Sequence, residues 1–291
     1  MITILDGGMG AELIKRKAAT RSGLWSAQAL LDAPDMVAQV HRDYIAAGAR
    51  IIITNSYSTI PSYLSKVALE ARFEELSALA ARIAREVADE SEHDVLVAGS
   101  MPPLDESYRA DLVPADEIAI PIYRAIASAV NADVDLFICE TMSCIREACN
   151  AVTAATEISA GSKPVFVSWS LDEQPGGGLR SGETITDAYA ALDKFDVQAF
   201  LFNCTSLEAI SAGLAELSPL TDKPIGAYPN RLHIPEGWTL DSDVQSSYKE
   251  ISIEEYVAAT RQWLELGATI IGGCCGIGPA YISALNESLN I

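Results

Sequence analysis

Eight times along this chain a short run of Val, Ile, Leu or Phe ends in small or polar residues and gives way to a helix-like stretch. That alternation limits the fold more than any other feature. The runs are Thr3–Leu5, Ile51–Ile53, Val95–Ala98, Leu136–Cys139, Val165–Ser170, Ala199–Phe202, Pro224–Ala227 and a last one through Ile271. Most are apolar from end to end, the pattern of parallel strands covered on both faces. Eight such units in 291 residues predict a (β/α)8 TIM barrel, as one domain spanning 1–291, in preference to an open doubly wound sheet. An open sheet would more often carry Gly-x-Gly-x-x-Gly after its first strand, and Gly7-Gly8-Met9-Gly10 lacks that spacing.

The intervening stretches read as helices. Val37, Val40, Tyr44 and Ile45 recur at three and four within Asp35–Ala47, which Gly48 then stops. Lys66–Glu90 lacks glycine and proline and predicts one long helix. The helix from about Pro114 contains Pro121, which either kinks it or marks a second start. Ser143–Ser159 and Ser252–Leu266 complete the readable set.

Charge and composition narrow the function classes. The net charge of −20, from 20 Lys+Arg against 40 Asp+Glu, argues against a nucleic-acid partner, which would require a basic stripe. No leader-like segment opens the chain and no apolar run approaches membrane-spanning length, so a cytoplasmic protein with no membrane partner is expected. In such a setting the six cysteines are read as thiols or metal ligands rather than disulfides.

A barrel of this type places its chemistry at the carboxyl ends of the strands. The residues there are Asp6, Asn55, Tyr57, Ser100, Glu140, Thr141, Ser170, Asn203, Cys204, Tyr228, Asn230, Cys274 and Cys275. Adjacent cysteines on a strand would point to opposite faces, but Gly272-Gly273 and Gly276 allow the backbone to leave the strand at Cys274-Cys275. By itself that pair reads as packing, since free cysteine is commonly buried. Cys204 changes the reading, because it ends a strand two places away around the ring. Cys139, Cys144 and Cys149 lie within strand four or on the helix after it and read as buried structural thiols.

Three converging thiolates require a counter-charge, and Zn2+ is the natural one, four-coordinate and tolerant of sulfur. Three protein ligands leave a fourth position for a substrate, and a thiolate-rich shell suits activation of a thiol rather than of water. Competing chemistries lack their residues. The three histidines, His41, His93 and His233, have no metal-ligand spacing, and Lys163 and Lys223 precede their strands instead of ending them. A zinc-thiolate or thiol-sensing protein without catalysis is the non-enzymatic alternative.

Asp6-Gly7-Gly8-Met9-Gly10, Glu140-Thr141, Asn203-Cys204 and Gly272-Gly273-Cys274-Cys275-Gly276 resemble, in this order and over the whole chain, the motifs of the homocysteine S-methyltransferase family. The resemblance implies a zinc-dependent barrel that methylates homocysteine to methionine, with Cys204, Cys274 and Cys275 as metal ligands. It also implies that Asp6 and Glu140 grip the substrate ammonium group, a role suited to carboxylates at strand tips. Gly7 and Gly8 are expected to bring backbone N–H groups to the substrate carboxylate, and Ser168 and Ser170 to assist from strand five.

The expected reaction is direct displacement of a methyl group from a small cationic donor by the activated thiol. S-Methylmethionine or S-adenosylmethionine fits a chain of this length better than betaine, and another thiol acceptor is the alternative. Tyr57, Trp169, Tyr228 and Trp238 are candidate aromatic walls for the cation, with Tyr57 and Tyr228 ranked first, and Asn230 is a candidate substrate contact.

Overall fold

Each apolar run becomes a parallel strand, and the ring closes. The computed structural model describes residues 2–19, 24–233, 239, 247–248 and 250–290. Its strands are β1 (Thr3–Ile4), β2 (Ile51–Ile53), β3 (Leu96–Met101), β4 (Leu136–Met142), β5 (Val165–Trp169), β6 (Ala199–Asn203), β7 (Ile225–Tyr228), the short antiparallel pair β8 (Leu232–His233) and β9 (Ser247–Tyr248), and β10 (Ala268–Ile271). The barrel order is β1-β10-β7-β6-β5-β4-β3-β2. A parallel bridge between Leu5 and Ile51 joins the last two edges, flanked by Arg50 N donating to Ile4 O at 2.8 Å and Asp6 N donating to Ile51 O at 3.0 Å. The eight-stranded (β/α)8 barrel expected from the repeat is the observed architecture.

The two faces of the strands carry different residues. Leu5, Ile51, Ala98, Leu136, Ile138, Ala199, Leu201, Tyr228 and Ile270 form one cluster inside the ring. Their neighbours, among them Val97, Phe137, Val167, Trp169, Phe200, Phe202 and Ile271, pack outward against helices. Burying each such side chain contributes about 1.5–3 kcal/mol, so strand parity is strongly specified.

The helices are α1 (Met9–Lys15), α2 (Ala27–Asp32), α3 (Pro34–Ala46), α4 (Pro61–Ser65), α5 (Phe73–Asp89), α6 (Asp116–Val130), α7 (Ile145–Ser159), α8 (Ile185–Leu192), α9 (Leu207–Leu217), α10 (Ile253–Glu265) and α11 (Pro279–Leu289). Val37, Val40, Tyr44 and Ile45 are all buried on α3, as their spacing predicts. Helix α10 starts in a capping box, in which Ser252 accepts from Glu255 N and Glu255 accepts from Ser252 N. Helix α6 runs on through Pro121 without a second start.

The long helix expected from Lys66 is shorter than its composition suggests. Ala68 adopts a left-handed φ of +58°, which a continuous helix cannot contain, and α5 begins only at Phe73 after a 3-10 turn over Glu70–Arg72. Among the described residues, no helix is long and apolar enough to cross a membrane.

Candidate metal and substrate centre

The carboxyl end of the barrel gathers three sulfurs. Cys204 follows directly on β6 in a left-handed backbone conformation, φ +51°, with its N–H donated to Tyr228 O at 3.2 Å. Cys274 and Cys275 follow β10 in a loop fixed by the Cys274 N–H on Pro229 O (2.8 Å), the Arg231 N–H on Cys275 O (2.8 Å) and the Ile277 N–H on Cys274 O (3.0 Å). Gly276, at φ +83°, takes a turn that a side chain would strain. The three sulfur atoms lie within 4.8 Å of one another, close enough to share one thiophilic ion, and the Cys204 and Cys275 sulfurs are 3.9 Å apart.

The cluster is electrostatically uneven. Hydrogen bonds from Cys274 and Cys275, with further ones from Tyr108 and Asn230, hold the Cys204 thiol well below its ordinary range despite burial. The two thiols that give those bonds are pushed up. Of the three thiols, Cys204 is the one whose ionised form its neighbours favour. Asn230, a candidate substrate contact, points its Nδ2 at Cys204 Sγ at 3.5 Å while its Oδ1 accepts from Leu232 N at 3.2 Å.

Two carboxyl groups stand beside the sulfurs. Glu140 on β4 is buried, accepts from Ser100 Oγ at 2.5 Å, and has its pKa pushed up to about 7, chiefly by burial and also by the charge of Cys204. Asp6 is also buried and raised by desolvation, against the pull of the Ile53 N–H that its Oδ2 accepts at 2.8 Å, with Glu140 close enough to add to the effect. No lysine or arginine among the described residues pairs with either carboxyl.

Below and beside them lies a polar layer. Asn203 Oδ1 accepts from Thr141 N (2.8 Å) and from Ser168 Oγ (2.7 Å), while Asn203 Nδ2 donates to Thr141 Oγ1 (2.8 Å). Tyr228 points into the ring, where Ser168 is near enough to favour its ionised form, although its buried hydroxyl makes no well-formed hydrogen bond among the described residues. Glu140, Ser168, Cys274 and Cys204 are the groups that surround it.

Over its whole length the chain is similar to proteins of known activity. Residues 3–289 match the family model described as homocysteine S-methyltransferase. The chain belongs to the homocysteine S-methyltransferase family. It is 31% identical to homocysteine S-methyltransferase YbgG of Bacillus subtilis, covering 98% of this chain and 93% of that one. It is 29% identical to the selenocysteine methyltransferase of Astragalus bisulcatus, covering 99% and 92%. The metallated form of the homocysteine methyltransferase MmuM from Escherichia coli superposes with a TM-score of 0.80 at 29% identity, covering 99% of this chain and 96% of that one.

In this chain several of the expected residues make contacts within the protein. The Gly8 N–H is donated to Ile277 O at 3.0 Å, which removes that amide from a substrate carboxylate. Glycine is needed there because the β1 loop runs under the β10 loop: a Cβ at Gly8 would sit 2.6 Å from Cys274 O, and one at Gly7 would sit 2.2 Å from Ile277 O. Trp169 is not a wall of the site. It lies on the helix-facing side of β5, stacked on Phe200 with ring centres 5.6 Å apart. Ser168, two residues from inward-facing Phe166, is inside the ring, and Ser170 donates to Cys204 O at 3.5 Å. Tyr57 is half-buried beside the cluster, bonded to Ser107 Oγ at 2.7 Å, with Trp25 edge-on to its ring. Trp238 lies outside the described residues.

One residue at the cluster escaped the reading of strand tips. Tyr108, in the long loop after β3, places its hydroxyl 2.9 Å from Cys204 Sγ. Only the length of that loop pointed to it, since long loops in compact domains are commonly functional.

Proposed function

We propose that this chain transfers a methyl group from a small cationic donor to the thiol of homocysteine, yielding methionine, with Zn2+ held by Cys204, Cys274 and Cys275 in a single barrel domain. The observation that carries this reading is the convergence of three sulfurs within 4.8 Å beside two buried carboxyls that lack a cation. The donor set fits the ion: all three ligand atoms are soft sulfurs within reach of one another, and three protein ligands are the number that leaves a position open. When bound, Zn2+ supplies acidity to a fourth thiol, so that the acceptor sulfur is ionised near neutral pH while remaining nucleophilic.

The chain's own residues bind and orient. Glu140 and Asp6 take the homocysteine ammonium group, which supplies the positive charge their site lacks, and Ser100 fixes the Glu140 carboxyl through its 2.5 Å hydrogen bond. Asn203, Thr141 and Ser168 brace the floor beneath them. The Tyr228 hydroxyl, which makes no well-formed hydrogen bond among the described residues, is available to the amino-acid acceptor, and Gly7, Ser170 and Asn230 shape the surrounding loops. Tyr57 offers an aromatic edge of the pocket to the donor cation.

The acceptor sulfur attacks the methyl carbon in line with the departing atom. A carbon–sulfur bond forms, the bond to the donor's positive sulfur or nitrogen breaks with its electron pair, and the donor leaves neutral. No general acid is needed, so positioning carries most of the rate. S-Methylmethionine and S-adenosylmethionine are favoured as donors over betaine. The likeness to a selenocysteine methyltransferase supports testing selenocysteine as a second acceptor.

A donor screen on zinc-loaded protein tests the assignment. Methionine formation from homocysteine with a sulfonium donor is expected. Zinc bound at the three cysteines without turnover of any donor or acceptor would replace methyl transfer with a thiol-sensing role.

A further inference from the structure

The loops after β3 and β5 meet over the sulfur cluster through Tyr108 and Arg180. The Tyr108 hydroxyl is 2.9 Å from Cys204 Sγ, and the Arg180 guanidinium carbon lies 4.9 Å from the centre of the Tyr108 ring. Arg180 is itself anchored. Its Nη2 donates to Glu173 Oε1 at 2.9 Å, its Nε to Ser170 Oγ at 3.4 Å, and its backbone N–H to Ser170 O at 3.2 Å. Ser170 Oγ in turn donates to Cys204 O at 3.5 Å. The two loops thus reach one residue from two directions, its sulfur through Tyr108 and its carbonyl through Ser170.

The backbone at this junction is costly. Tyr108 has φ +68° and Cys204 φ +51°, a region that residues with a Cβ seldom occupy unless their surroundings impose it. Both partners of the 2.9 Å contact are therefore held by it and by what packs on them. A cation above a tyrosine face is attracted to the ring and restrains it, so Arg180 helps fix where the hydroxyl points.

We propose that Tyr108 is a positioning residue for Cys204, held on its sulfur by Arg180, and that the two loops act as one clasp over the thiol cluster. Its consequence for catalysis rests on the metal-thiolate reading above; the clasp itself does not. A hydrogen bond to a ligand sulfur orients that ligand and moderates its charge, and loss of such outer contacts weakens metal binding by about 10–100-fold.

The full-length protein tests this with and without zinc. Tyr108→Phe is expected to release zinc to a chromophoric chelator about tenfold faster than the parent chain, and to raise KM for homocysteine more than it lowers kcat. Arg180→Met should move both quantities in the same direction, and Arg180→Lys, which keeps a cation over the ring, should recover most of the loss. Because Arg180 acts through the hydroxyl, the Tyr108→Phe, Arg180→Met double variant should be no worse than Tyr108→Phe alone. In metal-free protein, backbone hydrogen exchange should quicken across 104–113 and 172–183 together in either single variant. Effects that multiply in the double variant, or zinc release and loop exchange at parental rates, would overturn the proposal. Should the parent chain hold no zinc, the metal reading fails alone. Exchange in the metal-free loops then decides the clasp: joint acceleration supports it, and acceleration of one loop or neither overturns it.

Discussion

Asp6 and Asp135 do the same local work at opposite ends of the barrel. Asp6, at the carboxyl end of β1, accepts the Ile53 N–H at 2.8 Å; Asp135, just before β4 at the amino end, accepts the Val97 N–H at 2.7 Å. Each ties the start or end of one strand to its neighbour. Their surroundings differ. Asp135 is about a third exposed and is neutralised by Arg85 at 2.9 Å, whereas Asp6 is sealed with Glu140 beside it and no cation. Two lysines at the amino end also have partners, Lys163 donating to Asn131 O and Val134 O, and Lys223 to Val197 O at 2.7 Å. An end that satisfies its own charges holds the ring together. An end that leaves two carboxyls without a cation beside three clustered thiols is arranged for charges that arrive with ligands.

That contrast is broken or sharpened by substitutions made in pairs. The largest effect is expected from Glu140→Gln, which keeps the shape but removes the charge facing the substrate ammonium: kcat/KM for homocysteine should fall about a hundredfold. Asp135→Asn at the other end should leave it unchanged. Asp6→Asn can still accept from Ile53, so its melting temperature should stay near that of the parent while kcat/KM drops about tenfold. Equal losses in the Asp6 and Asp135 variants would dissolve the distinction between the ends.

A pH dependence follows from Glu140. Its carboxyl is raised in the folded chain from 4.5 to about 7, so the folded state holds a proton that the unfolded state has released. Stability from this group is fully present below the unfolded value and is lost as the pH rises through about 7. Melting of the metal-free, substrate-free protein should therefore occur at lower temperature at pH 8 than at pH 5, and Glu140→Gln should flatten that slope. The smallest effect belongs to Lys223→Met at the amino end: about 1 kcal/mol of stability lost by denaturant titration, with KM for homocysteine unchanged.

Much of this was legible in the sequence, and the parts that were not share a cause. The strands were readable because residues buried on both faces leave unbroken apolar runs such as Ile51–Ile53 and Leu136–Cys139. The cysteine cluster was readable because barrel topology alone brings the ends of β6 and β10 together. Trp169 was misplaced although parity could have corrected it: Phe166 and Ser168 face inward on β5, so Trp169 must face outward. Composition alone extends helix α5 back to Lys66, because it does not record that Ala68 turns left-handed. The role of Gly8 and the contacts of Tyr108 and Arg180 depend on loops from distant parts of the chain meeting in space, which no local pattern encodes.

The central claim is that Cys204, Cys274 and Cys275 hold a metal whose remaining position receives the acceptor sulfur. X-ray absorption at the zinc edge of the loaded protein, before and after homocysteine is added, tests it most directly. About three sulfur neighbours and one lighter atom are expected in the free protein, becoming about four sulfurs with homocysteine bound. A shell that keeps its lighter ligand in saturating homocysteine, or one dominated by nitrogen and oxygen from the outset, would contradict it.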